Sequence, residues 1–259
     1  MVRLRLDSAN HTPMTISFEG IKEKLERADE NVINLDAEIS RFFQECKYPI
    51  MPKMQDEEHS KAVKYFKDLP LPARFSILSG EIFHHLRSCL DHIIWELSDD
   101  LTRNSKDGSF LQFPILETRP ATENKFNNYD RKIKGVTNPD AHKLIEKLQP
   151  YHRPIPASDP LLVIHKMDII DKHRELILTH PTGRLEGPLQ LVRNMSAHVT
   201  GRTSLPDELR RQFDQHGQIT PQISFKDIGG WDTQPIVPVL RELSSYVAIV
   251  VDQFERCVS

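Results

Sequence analysis

Cysteine is scarce in this chain: Cys46, Cys89 and Cys257 are an odd, scattered set with none of the paired spacings of a zinc site or a disulfide framework. That usage points to a reducing compartment. Glycine is scarce too, ten residues in 259, and there is no Gly-rich phosphate loop, no Gly-x-Ser-x-Gly elbow, no His-Glu-x-x-His and no Cys-x-x-Cys. Nucleotide-cradling folds and the familiar hydrolase and metalloprotease chemistries are thereby disfavoured. Charge of one sign is also missing: 34 basic against 37 acidic residues leave a net −3, no global footprint for nucleic acid or a membrane surface, although a transiently held substrate does not require one. No apolar run approaches the roughly 20 residues of a membrane span, and the opening MVRLRLDSANH has no signal-peptide core. The expectation is a cytoplasmic protein with no membrane partner. Histidine, by contrast, is plentiful, with twelve residues.

The apolar pattern predicts mostly helix. Phe18, Ile21, Leu25, Ala28, Val32, Leu35, Ile39, Phe42 and Cys46 recur at three- and four-residue steps, the mark of a long bundle helix. Residues 48–68 carry Pro49, Pro52 and an alternation around Val63, Tyr65 and Lys67 that reads as a hairpin or extended excursion. PLPAR (70–74) then launches a second long helix over about 74–102. FLQFPI reads as a short extended piece, and 122–134 and 139–149 as short helices, the latter with Asn138 as cap and Pro139 in its first turn. Ser158 and Pro160 open a helix through LLVIHKMDIIDKHRELIL. Alternation from Leu189 to Val199 and at Gln222 to Asp227 predicts strands, and a final helix runs from near Thr233 through Phe254. The fold class expected is α+β, mainly α: one domain over 1–259, a helical bundle of about four long helices with a small antiparallel β-sheet, with β insertions at about 47–68 and 188–227.

The richest chemistry lies on the second helix, in EIFHHLRSCLDHIIWEL (81–97). Ile82, Leu86, Leu90, Ile93 and Leu97 form a core-facing sector, extended by Phe75, Ser79 and Leu101. Opposite lie Glu81, His84, His85, Arg87, Ser88, Asp91, His92 and Trp95, a face too rich in His and Trp for simple solvation, so something is expected to cover it. The other dense cluster, His165-Lys-Met-Asp168 through Asp171-Lys172-His173-Arg174, puts His165, Ile169 and His173 on one side, with Asp171 and Arg174 spaced to pair. This helix is expected to pack beside the first cluster, Lys172 and Arg174 offering phosphate-binding charge.

Arg87-Ser-Cys-Leu-Asp-His92 resembles the Arg-x(4–6)-His motif of HEPN ribonucleases, helical-bundle proteins that cleave RNA without a metal. The resemblance implies Arg87 and His92 as the catalytic pair, with His84, His85 and Asp91 in support and no cofactor. The chemistry suits those residue types. A histidine near its ordinary pKa of about 6.5 can take the proton of a 2′-hydroxyl and return one to the leaving oxygen, while arginine holds the charge that builds on the phosphoryl oxygens. Five residues turn a helix by about 140°, so the pair cannot meet over one phosphate on a single straight helix. A homodimer pairing Arg87 of one protomer with His92 of the other would unite them and bury Trp95, and the family implies a toxin or phage-defence setting with a possible protein antitoxin or regulator. Read architecturally, the same residues make an Arg87–Asp91 ion pair at i,i+4, with His85 and His92 filling a domain contact. LRSCLDH, FPI, LQPY and DKHR, in that order, also resemble a bacterial protein group of similar length, a likeness that implies no particular activity.

Rival readings use the same surface. Glu81-x-x-His84 with His165-x-x-Asp168 could hold a metal between helices, although Glu23, Glu30 and Glu38 of the first helix sit at solvated positions. A binding or regulatory module would use the His, Arg and Trp side chains without catalysis. Arg193 and His198 repeat the Arg-x(4)-His spacing, but on an alternating strand they point to opposite faces. The local basic cluster Arg131, Lys132 and Lys134 offers RNA contacts or a solvated helix end.

Overall fold

The computed structural model describes residues 16–49, 52, 57–120, 128–173, 178–186, 206–216, 218–225, 231 and 234–258. They are predominantly helical. The first long helix, α1 (Glu19–Gln44), forms where the three-and-four pattern predicts, burying Ile21, Ala28, Val32, Leu35, Ile39 and Phe43. It lies antiparallel to α3 (Ala73–Leu97). The register is set by Ser17 N donating to Glu96 Oε2 (3.3 Å), Cys89 Sγ to the Ile21 carbonyl (3.5 Å), Asn31 Nδ2 to Glu81 Oε2 (3.3 Å) and Arg74 Nε to Glu38 Oε1 (2.6 Å). The C-terminal helix α9 (Ile236–Val258) runs antiparallel to α1 as well, tied by Arg241–Asp36 (2.6 Å), Ser244–Asp29 (2.5 Å) and Lys22–Glu255 (2.7 Å).

Between Tyr48 and Asp68 the expected hairpin is replaced by helix α2 (Glu57–Asp68). Ala62 and Phe66, four apart, are its buried pair, and Glu57 and Glu58 favour its first turn through the helix dipole. The alternation at Val63 and Lys67 misled because both side chains face solvent. The expected 74–102 helix is two. Ser98 adopts extended backbone and bridges to Val136, and Asp99 caps the short α4 (Asp100–Arg103) by accepting from Thr102 N. That break resets the helical phase, so Leu101, expected on the core sector, is 83% exposed.

Short α5 (Asn128–Lys132) and α6 (Pro139–Lys147) follow, with Asn138 Oδ1 accepting from the amides of Asp140 and Ala141 as its spacing before Pro139 predicts. Helix α7 (Pro160–His173) is started by Asp159 rather than Ser158, since Asp159 Oδ1 takes the Leu161 amide at 2.9 Å. It has 14 residues and does not reach Leu178, where β1 (Leu178–Glu186) begins. Three helices therefore exceed twenty residues among those described, not four. After α8 (Asp207–His216), β2 (Gln218–Phe225) pairs antiparallel with β1, Leu178 opposite Phe225 and Glu186 opposite Gln218. The strand expected around 189–199 lies outside the described residues. One hydrophobic cluster joins α1, α2, α3, α6, α7, β2 and α9. Among the described residues no helix is long and apolar enough to cross a membrane.

Candidate functional site

Helix α3 is buried along more than one stripe, because α1 covers one flank and α7 another. Its approach to α7 is close. A methyl at Gly80 would run into the Asp171 carboxylate, so the absence of a Cβ is what lets the two helices meet there. One turn along, His84 Nδ1 lies 3.3 Å from Asp168 Oδ1. Those two contacts fix an antiparallel register that brings Arg87 level with His165.

Arg87 is 4% exposed. Its Nη2 donates to the Phe113 carbonyl at 2.9 Å and lies 2.8 Å from Asp91 Oδ1, which in turn accepts the Phe113 amide at 2.9 Å. Arginine and aspartate together thus bond both backbone groups of one residue, as a neighbouring β-strand would. Gln149 repeats the device farther along: its Nε2 donates to the Pro114 carbonyl (2.8 Å) and its Oε1 accepts the Leu116 amide (3.2 Å). LRSCLDH and LQPY therefore grip FPI from two sides, and the Phe113 ring packs edge-on against Phe254 of α9. Burial raises the Asp91 carboxyl, opposed by the Arg87 charge and the Phe113 amide. The i,i+4 pair is an architectural clamp in this conformation.

Toward α7 the seam carries an exposed histidine over a buried carboxylate. Asp168, with 4% of its side chain exposed, holds His84 on one oxygen and Lys172 Nζ on the other at 2.7 Å. If Nδ1–H of His84 donates to Asp168, its Nε2 lone pair is left toward solvent. The ring of His85 lies 6.3 Å from that of His84, centroid to centroid. Burial first, then the charge of His84 and those of Lys24 and Arg27 on α1, lower the His85 pKa and hold it neutral at pH 7. Two adjacent imidazoles thus stand in different surroundings, one on a carboxylate and one desolvated.

The remaining candidates separate. His92 is exposed on the flank toward α1, its pKa lowered by burial and then by Lys24, whereas Arg87 is bonded on the inside. His165 is half-buried, pushed down to about 4 by burial and by Arg87, Lys132 and Lys172, and its Nδ1 has no partner among the described residues. Asp171 is raised by burial and Asp168, His173 is exposed at the end of α7, and Arg174 lies outside the described residues, as do Arg193 and His198. Glu81 turns to Asn31, so Glu81, His84, His165 and Asp168 do not assemble, and no group of three or more metal-ligating side chains is placed to hold an ion among the described residues. The basic cluster disperses: Arg131 stacks over Phe110, Lys134 pairs with Asp107 at 2.6 Å, and Lys132 is half-buried. Trp95 remains 40% exposed beside Arg103.

Sequence reasoning picked out the histidines but not Asp168 as the group that orients His84, nor Lys24 and Gln149. The i,i+3 spacing of His165 and Asp168 and the LQPY segment were the available signals. No protein family matches the chain, and no curated protein or solved structure matches it.

Proposed function

We propose that the protein is a metal-independent endoribonuclease that cleaves RNA by attack of the 2′-hydroxyl on the adjacent phosphate, with His84 and His85 as its acid–base pair. The substrate class rests on the resemblance of Arg87–His92 to the HEPN motif. The assignment of roles rests on one observation: an exposed imidazole bonded to a buried carboxylate, 6.3 Å from a second imidazole held neutral. Neighbouring groups whose environments differ in this way divide acid from base. His85, neutral, takes the 2′-hydroxyl proton; His84, its Nδ1 held on Asp168, returns one to the 5′-oxygen from Nε2; Lys172, on the other Asp168 oxygen, offsets charge on the phosphoryl oxygens. This arrangement departs from the HEPN composite in both acting residues and in the need for a dimer. Because Arg87 is committed to Phe113 and Asp91, the two acting groups are adjacent in one chain and need no two-fold partner.

The test is a 5′-labelled single-stranded RNA incubated with the protein in excess chelator. Products ending in a 2′,3′-cyclic phosphate are expected, with His84→Gln and His85→Gln each slowing cleavage by about 10²-fold or more while circular dichroism shows the helical fold retained. No cleavage by the wild type, or full activity in His84→Gln, sinks the proposal.

A second reading, a non-catalytic module that binds a protein regulator or a second copy of the chain, is favoured by exposed Trp95 and Leu101 near the end of α3. Under it, Trp95→Ala abolishes association and no RNA is cut.

A further inference from the structure

Helix α3 presents His85, Ser88 and His92 at i, i+3 and i+7, a row on one side of the helix that advances about 10.5 Å. All three are at least partly exposed. The opposite wall is α1. Its register against α3, from Glu96 over Ser17, Cys89 over Ile21 and Glu81 beneath Asn31, sets Lys24 opposite the 87–88 stretch, between the two histidines, and Arg27 opposite 84–85. Lys24 is half-buried and makes no ion pair among the described residues, whereas Arg27 is engaged with Glu30 at 2.8 Å. The field of Lys24 reaches His85, Cys89 and His92 alike, which agrees with that placement. An ammonium with no ion pair among the described residues, on a strip bordered by two imidazoles and a hydroxyl all able to donate hydrogen bonds, suits an oxyanion chain, with the carboxylates Glu81 and Glu96 marking its two ends.

We propose that this α1–α3 groove binds the sugar–phosphate backbone of single-stranded RNA, Lys24 and His92 holding the phosphate next to the one positioned at His84 and His85. The proposal rests on the ribonuclease reading for the identity of its ligand. Lys24, Ser88 and the two imidazoles offer charge and hydrogen bonds to phosphate rather than to base edges, so binding is tolerant of sequence and falls with salt.

The test uses a fluorescein-labelled 2′-O-methyl decauridylate, which cannot be cleaved, and reads fluorescence anisotropy at 50 and 200 mM salt. Wild type is expected to bind. Lys24→Gln and His92→Gln should each weaken binding about tenfold at the lower salt, and Lys24→Gln should reduce the slope of log K against log salt by about 0.7, the increment for one phosphate contact on a single strand. Lys143→Gln, on exposed α6, should bind as wild type does. Unchanged binding in both Lys24→Gln and His92→Gln, or no binding by the wild type, overturns the groove even where RNA cleavage is found. Loss of binding in Lys24→Gln without any cleavage by the wild type upholds the groove and overturns the catalytic reading alone.

Discussion

Replacing Arg87 by Met keeps the length and most of the volume of the side chain but deletes the charge that faces Asp91 and the donor that serves the Phe113 carbonyl. Removing one partner of a buried ion pair costs about 3–5 kcal/mol, and a stranded buried carbonyl about 1–3 kcal/mol. The two overlap, and Asp91 retains 29% exposure through which water can relieve it, so the lower end applies. A loss of about 3 kcal/mol is expected, or about 6–12 °C in melting temperature for a domain of this size. Urea denaturation followed by circular dichroism should show a lower midpoint with the same slope. Asp91→Asn, which keeps an acceptor for the Phe113 amide but strands the guanidinium, should cost a similar amount, and the double variant Arg87→Met/Asp91→Leu should cost less than the two singles together. A loss below about 1 kcal/mol in Arg87→Met, accompanied by abolished RNA cleavage, would refute the architectural assignment and return Arg87 to the reacting site.

Gln149→Ala leaves the Pro114 carbonyl and the Leu116 amide unpaired and should cost about 2–4 kcal/mol in the same urea titration. Asn138→Ala removes the acceptor that caps α6 and should cost about 1 kcal/mol. The pH dependence has a definite sign. His165 titrates near 4 in the folded chain against 6.5 ordinarily, so below pH 6.5 the unfolded chain binds more protons and stability falls as pH drops toward 4. His85 and His92, also lowered, act in the same direction. Asp91 and Asp171, raised, act oppositely at lower pH, because the folded state takes up their protons first. His165→Phe should therefore lose less stability than wild type between pH 6.5 and 4, and an identical acid profile for the two proteins would contradict the depressed pKa.

Periodicity revealed α1, α3 and α9 because each buries a continuous stripe whose three-and-four spacing no strand can imitate. It failed where the signal is short. Ala62 and Phe66 are only one buried pair on α2, too few to outweigh a chance alternation around Val63. The end of α3 was hidden because Leu101 continues the apolar phase by accident, while the break itself depends on Ser98 reaching Val136 far along the chain. For the candidate site, the i,i+4 spacing pointed to the Arg87–Asp91 pair, and the structure forms it. What the pair holds could not be read locally, since its partner is backbone at Phe113, and backbone carries no sequence signature. Asp168 as the support of His84 is likewise a fact of helix pairing across 84 residues.

The stretch from Phe113 to Leu116 borrows its order. The Phe113 amide and carbonyl, the Pro114 carbonyl and the Leu116 amide are bonded by side chains that arrive from both sides in the chain, Arg87 and Asp91 from α3 before and Gln149 just past α6 after. Neither helix alone can fasten it, so during folding this segment locks only after α3 and the end of α6 have docked, and local opening of either one releases it. The segment is thus pinned at one end by α3 and at the other by the residue just past α6, and loosening Gln149 leaves only the Arg87–Asp91 end to hold it.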